Sequence, residues 1–507
     1  MRLIFSLSVL VLALWSCGGD STTTTAVNAT PPSNTASTPS TRSAVPANPG
    51  IIKAFQPNAS SPKIEVTVDG LSSGTAFLIG FFQGQNYRLD SASINANGRM
   101  VFQRQEPYPS SLVYVVLNNN QNFQMLIDED QEFKMSTQLS DLNGAMKVEG
   151  SVSNQLLYEA AAFEATIRQK TQANRRQLDA ISPNDPLYQE LMAKREALTK
   201  ERLDYLNGMF EKHPNTFFTA FKKAGQNPDI QLSDYKKPNG EPDTSAWVYN
   251  YRTKFWDDVN LYDERLMYTP VIPNKLKRYI NELTPQRPDS INTAASFLID
   301  KVLDSPEYFK YFANWVTMNY DPKESTLMDA QAVYVHMIQN YFTKELAFWS
   351  DSMNTYGLQQ RAYEMAASLV GKQGPDVVST DIDGKQRSIY EIKAPYIIVY
   401  MYNPTCEHCA VETPKLVSFY KEWKKKGVEV FGIAIDTNDK EWRDYVAKNK
   451  MEWINVYDST NKSIYAKYFV DVTPEIYVLN PERTIIAKNL KVEQIEQMIT
   501  RDMARKR

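Results

Sequence analysis

The chain has 507 residues, of which 42% are hydrophobic and 23% charged, a balance that fills ordinary globular cores and suggests about three domains. Its formal net charge of -3 excludes the strongly basic field of a nucleic-acid-binding protein. Only three cysteines and three histidines are present, which excludes a disulfide-dense scaffold and leaves few soft ligands for a metal.

The amino terminus reads MRLIFSLSVLVLALWSCGGD, with Arg2 ahead of an apolar run from Leu3 to Trp15. That run is shorter than the roughly 20 residues needed to cross a bilayer, and its charged start fits a cleaved secretory signal. The stretch LWSC resembles the lipobox of bacterial lipoproteins. The resemblance implies that residues 1–17 form a leader, that Cys17 is lipidated, and that a membrane of the bacterial envelope is a partner. Gly18 stands where retention at the inner membrane favours an acidic residue, so the same resemblance implies a periplasm-facing outer-membrane lipoprotein. A plain signal peptide with an incidental cysteine is the alternative. Residues 18–60 follow as a tether. Up to residue 50 they are almost all Thr, Ser, Pro, Ala, Asn and Gly, with Asp20 and Arg42 the only charges, too little apolar surface to offset the entropy of ordering.

From 61 to 150 the pattern has period two, as in IEVTVD, where Ile64, Val66 and Val68 alternate with polar neighbours and Asp69-Gly70 supplies a turn. The runs TAFLIGFF, SLVYVVLN, FQMLID and EFKMST follow, separated by turn-rich stretches such as NANG and NNNQN. Short strands at this spacing predict a small antiparallel sandwich or barrel. Near Ser153-Asn154 the period changes, and 151–369 reads as helical. Its clearest helix runs from Pro186 to His213, where Leu191, Leu198 and Tyr205 stand seven apart, Leu187 and Met209 share the stripe, and Pro214 ends it. The Tyr and Trp residues of this region read as helical core.

From 370 to 507 strands and helices alternate. YIIVYMY (396–402) and VEVFGIAI (428–435) are continuous apolar runs of buried-strand type. The helix-like segment between them ends at Gly427, with Lys424, Lys425 and Lys426 as a solvated last turn that suits the helix dipole. IYVL and TIIA predict two more strands and 491–505 a final helix. The alternation predicts an α/β layout around a central sheet.

Residues 403–410 read NPTCEHCA and hold the remaining two cysteines. After a strand and a tight turn, Cys406 falls at a helix N-terminus, where unpaired N–H groups and the positive dipole end stabilise a thiolate. That makes Cys406 the nucleophile. Cys409, one turn later on the same face, can close a disulfide with it and acts as the resolving thiol. The residues between them oppose each other: protonated His408 favours the thiolate and Glu407 disfavours it, so the sign of the redox tuning stays open.

These features resemble a thioredoxin-like domain of the TlpA/ResA type, the envelope thiol-disulfide oxidoreductases, over 370–507. Pro414, five residues after Cys409, matches the proline that kinks the active-site helix. Glu412 matches a family carboxylate, which implies that it takes or returns a cysteine proton; an exposed first-turn Glu supporting the dipole is the alternative. VTPEIYVLN resembles the cis-proline segment, which implies that Pro474 is that residue and that Thr473 beside it contacts the substrate peptide; an ordinary turn proline is the alternative. Thr405 stands where the family carries Trp. The resemblance implies protein thiols and disulfides as substrates, an envelope electron donor or acceptor, and no cofactor or metal beyond a redox-active Cys406–Cys409 disulfide. The architecture implied is multidomain, with an N-terminal all-β, sandwich-like domain, an α-helical middle region and a C-terminal α/β thioredoxin-like fold. The first two regions, with phrases such as VEGSVSNQLL, resemble modules that precede such domains in Bacteroidetes lipoproteins.

Other chemistries fit less well. A zinc site needs about four ligands, and His213, His336 and His408 are scattered among the two thiols. A copper chaperone of the Sco type would carry a histidine after Cys409. A thiol peroxidase of the AhpC/TSA-like class suits a low-pKa thiolate, yet its TxxC spacing is absent because Thr405 adjoins Cys406. A non-catalytic binding lipoprotein with a vestigial redox domain is opposed by the intact CEHC, Glu412 and Pro474.

Overall fold

A computed structural model describes residues 50–56, 59–461, 467–470 and 472–505. The leader, most of the tether and Cys17 lie outside the described residues. The chain divides into two compact units between Tyr279 and Ile280. That division falls inside the helical stretch 151–369, so its first helices belong with the β region and its last ones with the C-terminal sheet.

The first unit begins with eight strands, β1 (Lys63–Asp69), β2 (Gly74–Phe82), β3 (Gln85–Ile94), β4 (Arg99–Gln103), β5 (Ser111–Val116), β6 (Asn122–Ile127), β7 (Glu132–Gln138) and β8 (Lys147–Glu149). They form two four-stranded sheets, ordered β4-β1-β7-β8 and β3-β2-β5-β6. Ile64, Val66 and Val68 are fully buried while their neighbours are not, the alternation of a strand with one face on a core. The pairing departs from the all-antiparallel expectation at one place: β1 and β7 run parallel. Sixty-odd residues of intervening chain allow that, since a parallel partner needs a long crossover rather than a hairpin.

Helices α1 (Val152–Asp179), α2 (Pro186–Lys212), α3 (Phe217–Ala224), α4 (Thr244–Lys254) and α5 (Val271–Lys277) complete this unit. The Asn154 side chain accepts from Leu126 N–H at 2.8 Å and donates to Leu126 O at 2.7 Å, which pins the start of α1 to β6 where the period changes. In α2, Leu191, Leu198, Leu206, Met209 and Phe210 are buried, but Leu187 is 45% exposed, because the stripe leaves the core in the first turn. Glu164 ties three helices together through Arg202 at 2.8 Å and Lys222 at 2.6 Å.

The second unit starts with α6 (Pro288–Asp300), α7 (Pro306–Asn319), α8 (Ala330–Tyr341) and α9 (Ser352–Ala366). After them come β9 (Val378–Asp381), β10 (Gln386–Ser388), β11 (Tyr396–Tyr402), α10 (Glu407–Trp423), β12 (Val428–Ala434), α11 (Asp439–Asn449), β13 (Ile454–Tyr457), β14 (Glu475–Leu479), β15 (Ile485–Lys488) and α12 (Val492–Arg505). The seven strands form one sheet ordered β10-β9-β13-β12-β11-β14-β15. β11 is central and wholly buried, parallel to β12 and antiparallel to β14. Its alternate residues feed two cores: Tyr396, Ile398, Tyr400 and Tyr402 pack with α10, α11 and α12, while Ile397, Val399 and Met401 pack with Phe431, Tyr477 and Leu479. Gly427 ends the helical turn that follows α10 with φ of 92°, a left-handed cap that glycine adopts without a Cβ penalty.

Candidate active site

The loop between β11 and α10 is shaped by its own side chains. Asn403 Oδ1 accepts from Thr405 N at 2.8 Å and from its hydroxyl at 2.7 Å, and Cys406 N–H donates to Asn403 O at 3.1 Å. This turn delivers Cys406 to the N-cap of α10, where its sulfur accepts the backbone N–H of Cys409 at 3.4 Å. Cys406 is partly exposed; Cys409, one turn on, is fully buried among Tyr400, Tyr402 and Leu416.

The strand register explains what faces the pair. Met401 lies opposite Glu475 in the β11–β14 ladder, so the residues just before Glu475 stand beside the end of β11, four positions from Cys406. They are Thr473 and Pro474, and the bond joining them is cis. The thiol of Cys406 donates to Thr473 O at 3.1 Å.

The two sulfurs are electrostatically unequal. For Cys406, burial raises the thiol, but a side-chain hydrogen bond from Thr473 and the N–H groups of Cys409 and His408 outweigh it, so its pKa lies below the ordinary value. Thr473 acts in both senses: its carbonyl accepts from the thiol and favours the protonated form, while its hydroxyl favours the anion. Cys409 is pushed up to about 12, by burial first and then by its neighbour Cys406. A nucleophilic and a reluctant thiol thus stand three residues apart.

Residues 370–494 match the AhpC/TSA family. This stretch is similar to the thioredoxin-like domain of that family. Residues 63–157 match a domain of unknown function, DUF4369. Among curated relatives, the chain is 23% identical to the thiol-disulfide oxidoreductase ResA of Bacillus cereus over 129 residues, 25% of this chain and 74% of that protein. It is 24% identical to a Bacillus thuringiensis ResA over 168 residues, 33% and 84% of the two chains. Among solved structures, a thioredoxin-like protein from Bacteroides caccae aligns with a TM-score of 0.45 at 20% identity, over 54% of this chain and 98% of that one.

Within the AhpC/TSA domain the remaining site residues fall in different places. Glu407 and His408 are exposed on the first turn of α10. Pro414 sits inside that helix. Glu412 is drawn to the last helix: its carboxylate accepts from Lys415 Nζ at 2.7 Å and from Val492 N–H, the first residue of α12, at 3.1 Å. Lys415 extends the link to Glu493 at 2.8 Å. The distal histidines serve the fold. His213 O accepts from the hydroxyls of Thr216 and Thr219, and half-buried His336 meets Ser296 Oγ at 2.8 Å with its pKa lowered by burial.

Sequence reasoning missed Asn403, which shapes the turn, and the hydroxyls of Tyr400, Thr413 and Tyr445, which bond to one another beside the core cluster that holds Cys409. A signal existed for two of them. Tyr400 and Tyr402, with Tyr396, put hydroxyls on one face of a buried strand, and Thr413 lies one helical turn beyond Cys409.

Proposed function

We propose that this protein is a thiol-disulfide oxidoreductase that acts on protein cysteines through Cys406 and Cys409. The observation that carries this reading is the inequality of the two sulfurs: Cys406 sits at a helix N-cap with its thiol lowered, and Cys409 lies behind it with its thiol raised. The Cys406 thiolate attacks a substrate disulfide and forms a mixed disulfide. The substrate chain lies along the Thr473–Pro474 segment, where exposed Val472 adds apolar surface. Cys409 then attacks Cys406, forming the internal disulfide and releasing the reduced substrate; an envelope electron donor restores the dithiol. Glu407 and His408 tune the potential from the exposed turn. Glu412, held by Lys415 and Val492, fixes α12 against α10 in this reading, in place of direct proton exchange.

Replacing the resolving thiol stalls the cycle after the first attack. Cys409→Ser therefore accumulates covalent complexes with substrate proteins, visible as reductant-sensitive bands on non-reducing gels, and Cys406→Ser forms none. Equal trapping by the two variants contradicts the assigned roles. The lipobox-like LWSC places the protein, in the same reading, at the periplasmic side of the outer membrane. Palmitate labelling that survives Cys17→Ala overturns that placement.

A further inference from the structure

Three loops leave the same edge of the second unit's sheet, beside the cysteines. β11, β12 and β13 run parallel, with Tyr402 opposite Ala434 and Ala434 opposite Tyr457, so their carboxyl ends lie side by side. Asn403 follows β11, Asp436 stands just beyond β12, and Asn461 closes the turn beyond β13. This is the edge at which α/β sheets place their functional loops.

Asn403 belongs to the frame of both sulfurs. Its carbonyl accepts Cys406 N–H at 3.1 Å, and its Oδ1 accepts the N–H and the hydroxyl of Thr405 at 2.8 and 2.7 Å. Its backbone also hydrogen-bonds the Cys409 sulfur in the sense that favours the anion. The tie from this turn to the next loop is Asn403 Nδ2, which donates to Asp436 O at 3.1 Å. Asp436 is held in its turn. Its Oδ1 accepts from Asn461 Nδ2 at 2.7 Å, and its N–H donates to Asn461 Oδ1 at 3.3 Å, a clamp with two points of contact. Both clamp residues have left-handed backbones, with φ of 48° at Asp436 and 51° at Asn461. Asp and Asn enter that region more readily than other residues bearing a Cβ, so the pair supplies the backbone shape and the clamp together. Asp436 is exposed, where water solvates a carboxylate without help. What the clamp fixes is therefore the Asp436 carbonyl, and with it Asn403.

We infer that Asp436 and Asn461 are positioning residues that hold Asn403, and through it the Cys406 turn, in the geometry at which the sulfur reacts. The inference rests on the oxidoreductase reading. The contacts that favour the Cys406 anion come from directions the turn sets: Cys409 N–H at 3.4 Å on α10 and the Thr473 side chain from the loop before β14. Hydrogen bonds weaken steeply with angle, so a turn that rocks about Asn403 loses part of each. The ionisable groups around the sulfur are Cys409, Glu407 and His408 on α10, Tyr445 on α11 and Asp436 itself. Of these only Asp436 is altered when the clamp is opened, and its charge can be removed separately. The rest of the loop has its own anchors: Tyr457 Oη donates to Thr437 O at 2.9 Å, and Asn438 Oδ1 accepts Glu441 N–H at 3.0 Å at the start of α11. The fold therefore survives loss of the clamp.

The test follows iodoacetamide labelling of Cys406 in the reduced full chain across pH. Asp436→Gly and Asn461→Gly each delete one side of the clamp, and glycine takes the left-handed backbone without strain. Each moves the labelling midpoint up and slows labelling near neutral pH by about three- to ten-fold. Asp436→Asn keeps an acceptor for Asn461 without the charge and does not raise the midpoint. The variant carrying both glycines shifts no further than either alone, because both open the same clamp. Unfolding midpoints are read alongside. A loss of stability with the labelling midpoint unmoved makes the clamp merely structural and overturns the inference. So does a double variant whose shift is the sum of the two, or a rise as large in Asp436→Asn. An unaltered protein whose Cys406 labels at the ordinary thiol midpoint overturns the oxidoreductase reading instead, however the variants behave.

Discussion

On the face of the seven-stranded sheet that carries Cys409, the buried polar groups in or beside the same core cluster include the neutral hydroxyls of Tyr400, Tyr402, Thr413 and Tyr445. On the opposite face they include ionisable side chains. Lys488, fully buried on β15, donates to the Gln331 side chain on α8 and to Ser368 O at 3.0 Å, and lies 4.8 Å from the Tyr477 ring; Glu475 and Asp329 are buried in the same unit. The helices from 280 to 369 are thereby locked to the sheet by a cation whose donors are satisfied. Fixed charges suit a permanent joint, because once paired they need never change. In the proposed cycle the Cys409 sulfur gains and loses its proton; a fixed charge beside it would favour one state at the expense of the other, and hydroxyls that reorient accommodate both.

The comparison breaks most visibly at Lys488. Lys488→Ala leaves Gln331 and the Ser368 carbonyl without their donor in a dry joint, and costs about 3 kcal/mol of stability by denaturant unfolding. It leaves the rate of Cys406 alkylation unchanged. A smaller effect sharpens the other face through pH. Cys409 has a folded-state pKa raised to about 12, so the folded protein binds that proton where the unfolded chain has released it. The stability this gives is full below the unfolded thiol value and is lost as pH rises toward 12. Cys406, lowered, acts with the opposite sign: its contribution is present above the unfolded thiol value and is lost as pH falls through its folded one. Unfolding midpoints of the reduced protein therefore drop on the alkaline side, and Cys409→Ala lessens that drop in the range below tyrosine ionisation while Cys406→Ala does not. The smallest effect belongs to Thr473→Val, which keeps the carbonyl and deletes the hydroxyl. The Cys406 thiol then titrates higher, and its alkylation near neutral pH slows by about ten-fold or less.

How much of this could be read from the chain depended on whether the signal was local. The period-two strands, the α2 stripe ending at Pro214, the buried runs YIIVYMY and VEVFGIAI and the Gly427 stop all became the elements they predicted, since each rests on neighbours within a few residues. The cysteine helix was legible for the same reason, and the place of Thr473–Pro474 beside it follows from the β11–β14 register. The parallel β1–β7 pair was not visible, because partners so far apart in sequence leave no periodic trace. Lys488 reads as one more surface lysine until α8 is laid over it. The bonds of the Glu412 carboxylate to Lys415 and to Val492 at the start of α12, eighty residues later in the chain, were not visible from the cysteine helix alone. Tyr445 comes from α11, and nothing in its own segment points to Cys409.

The account stands on the inequality of two thiols three residues apart. Brief iodoacetamide labelling of the reduced protein across pH, with each cysteine quantified by mass spectrometry, measures it directly. The predicted result is labelling of Cys406 that titrates below the ordinary thiol range, with Cys409 silent until strongly alkaline pH. Equal labelling of both residues with a shared midpoint contradicts the account.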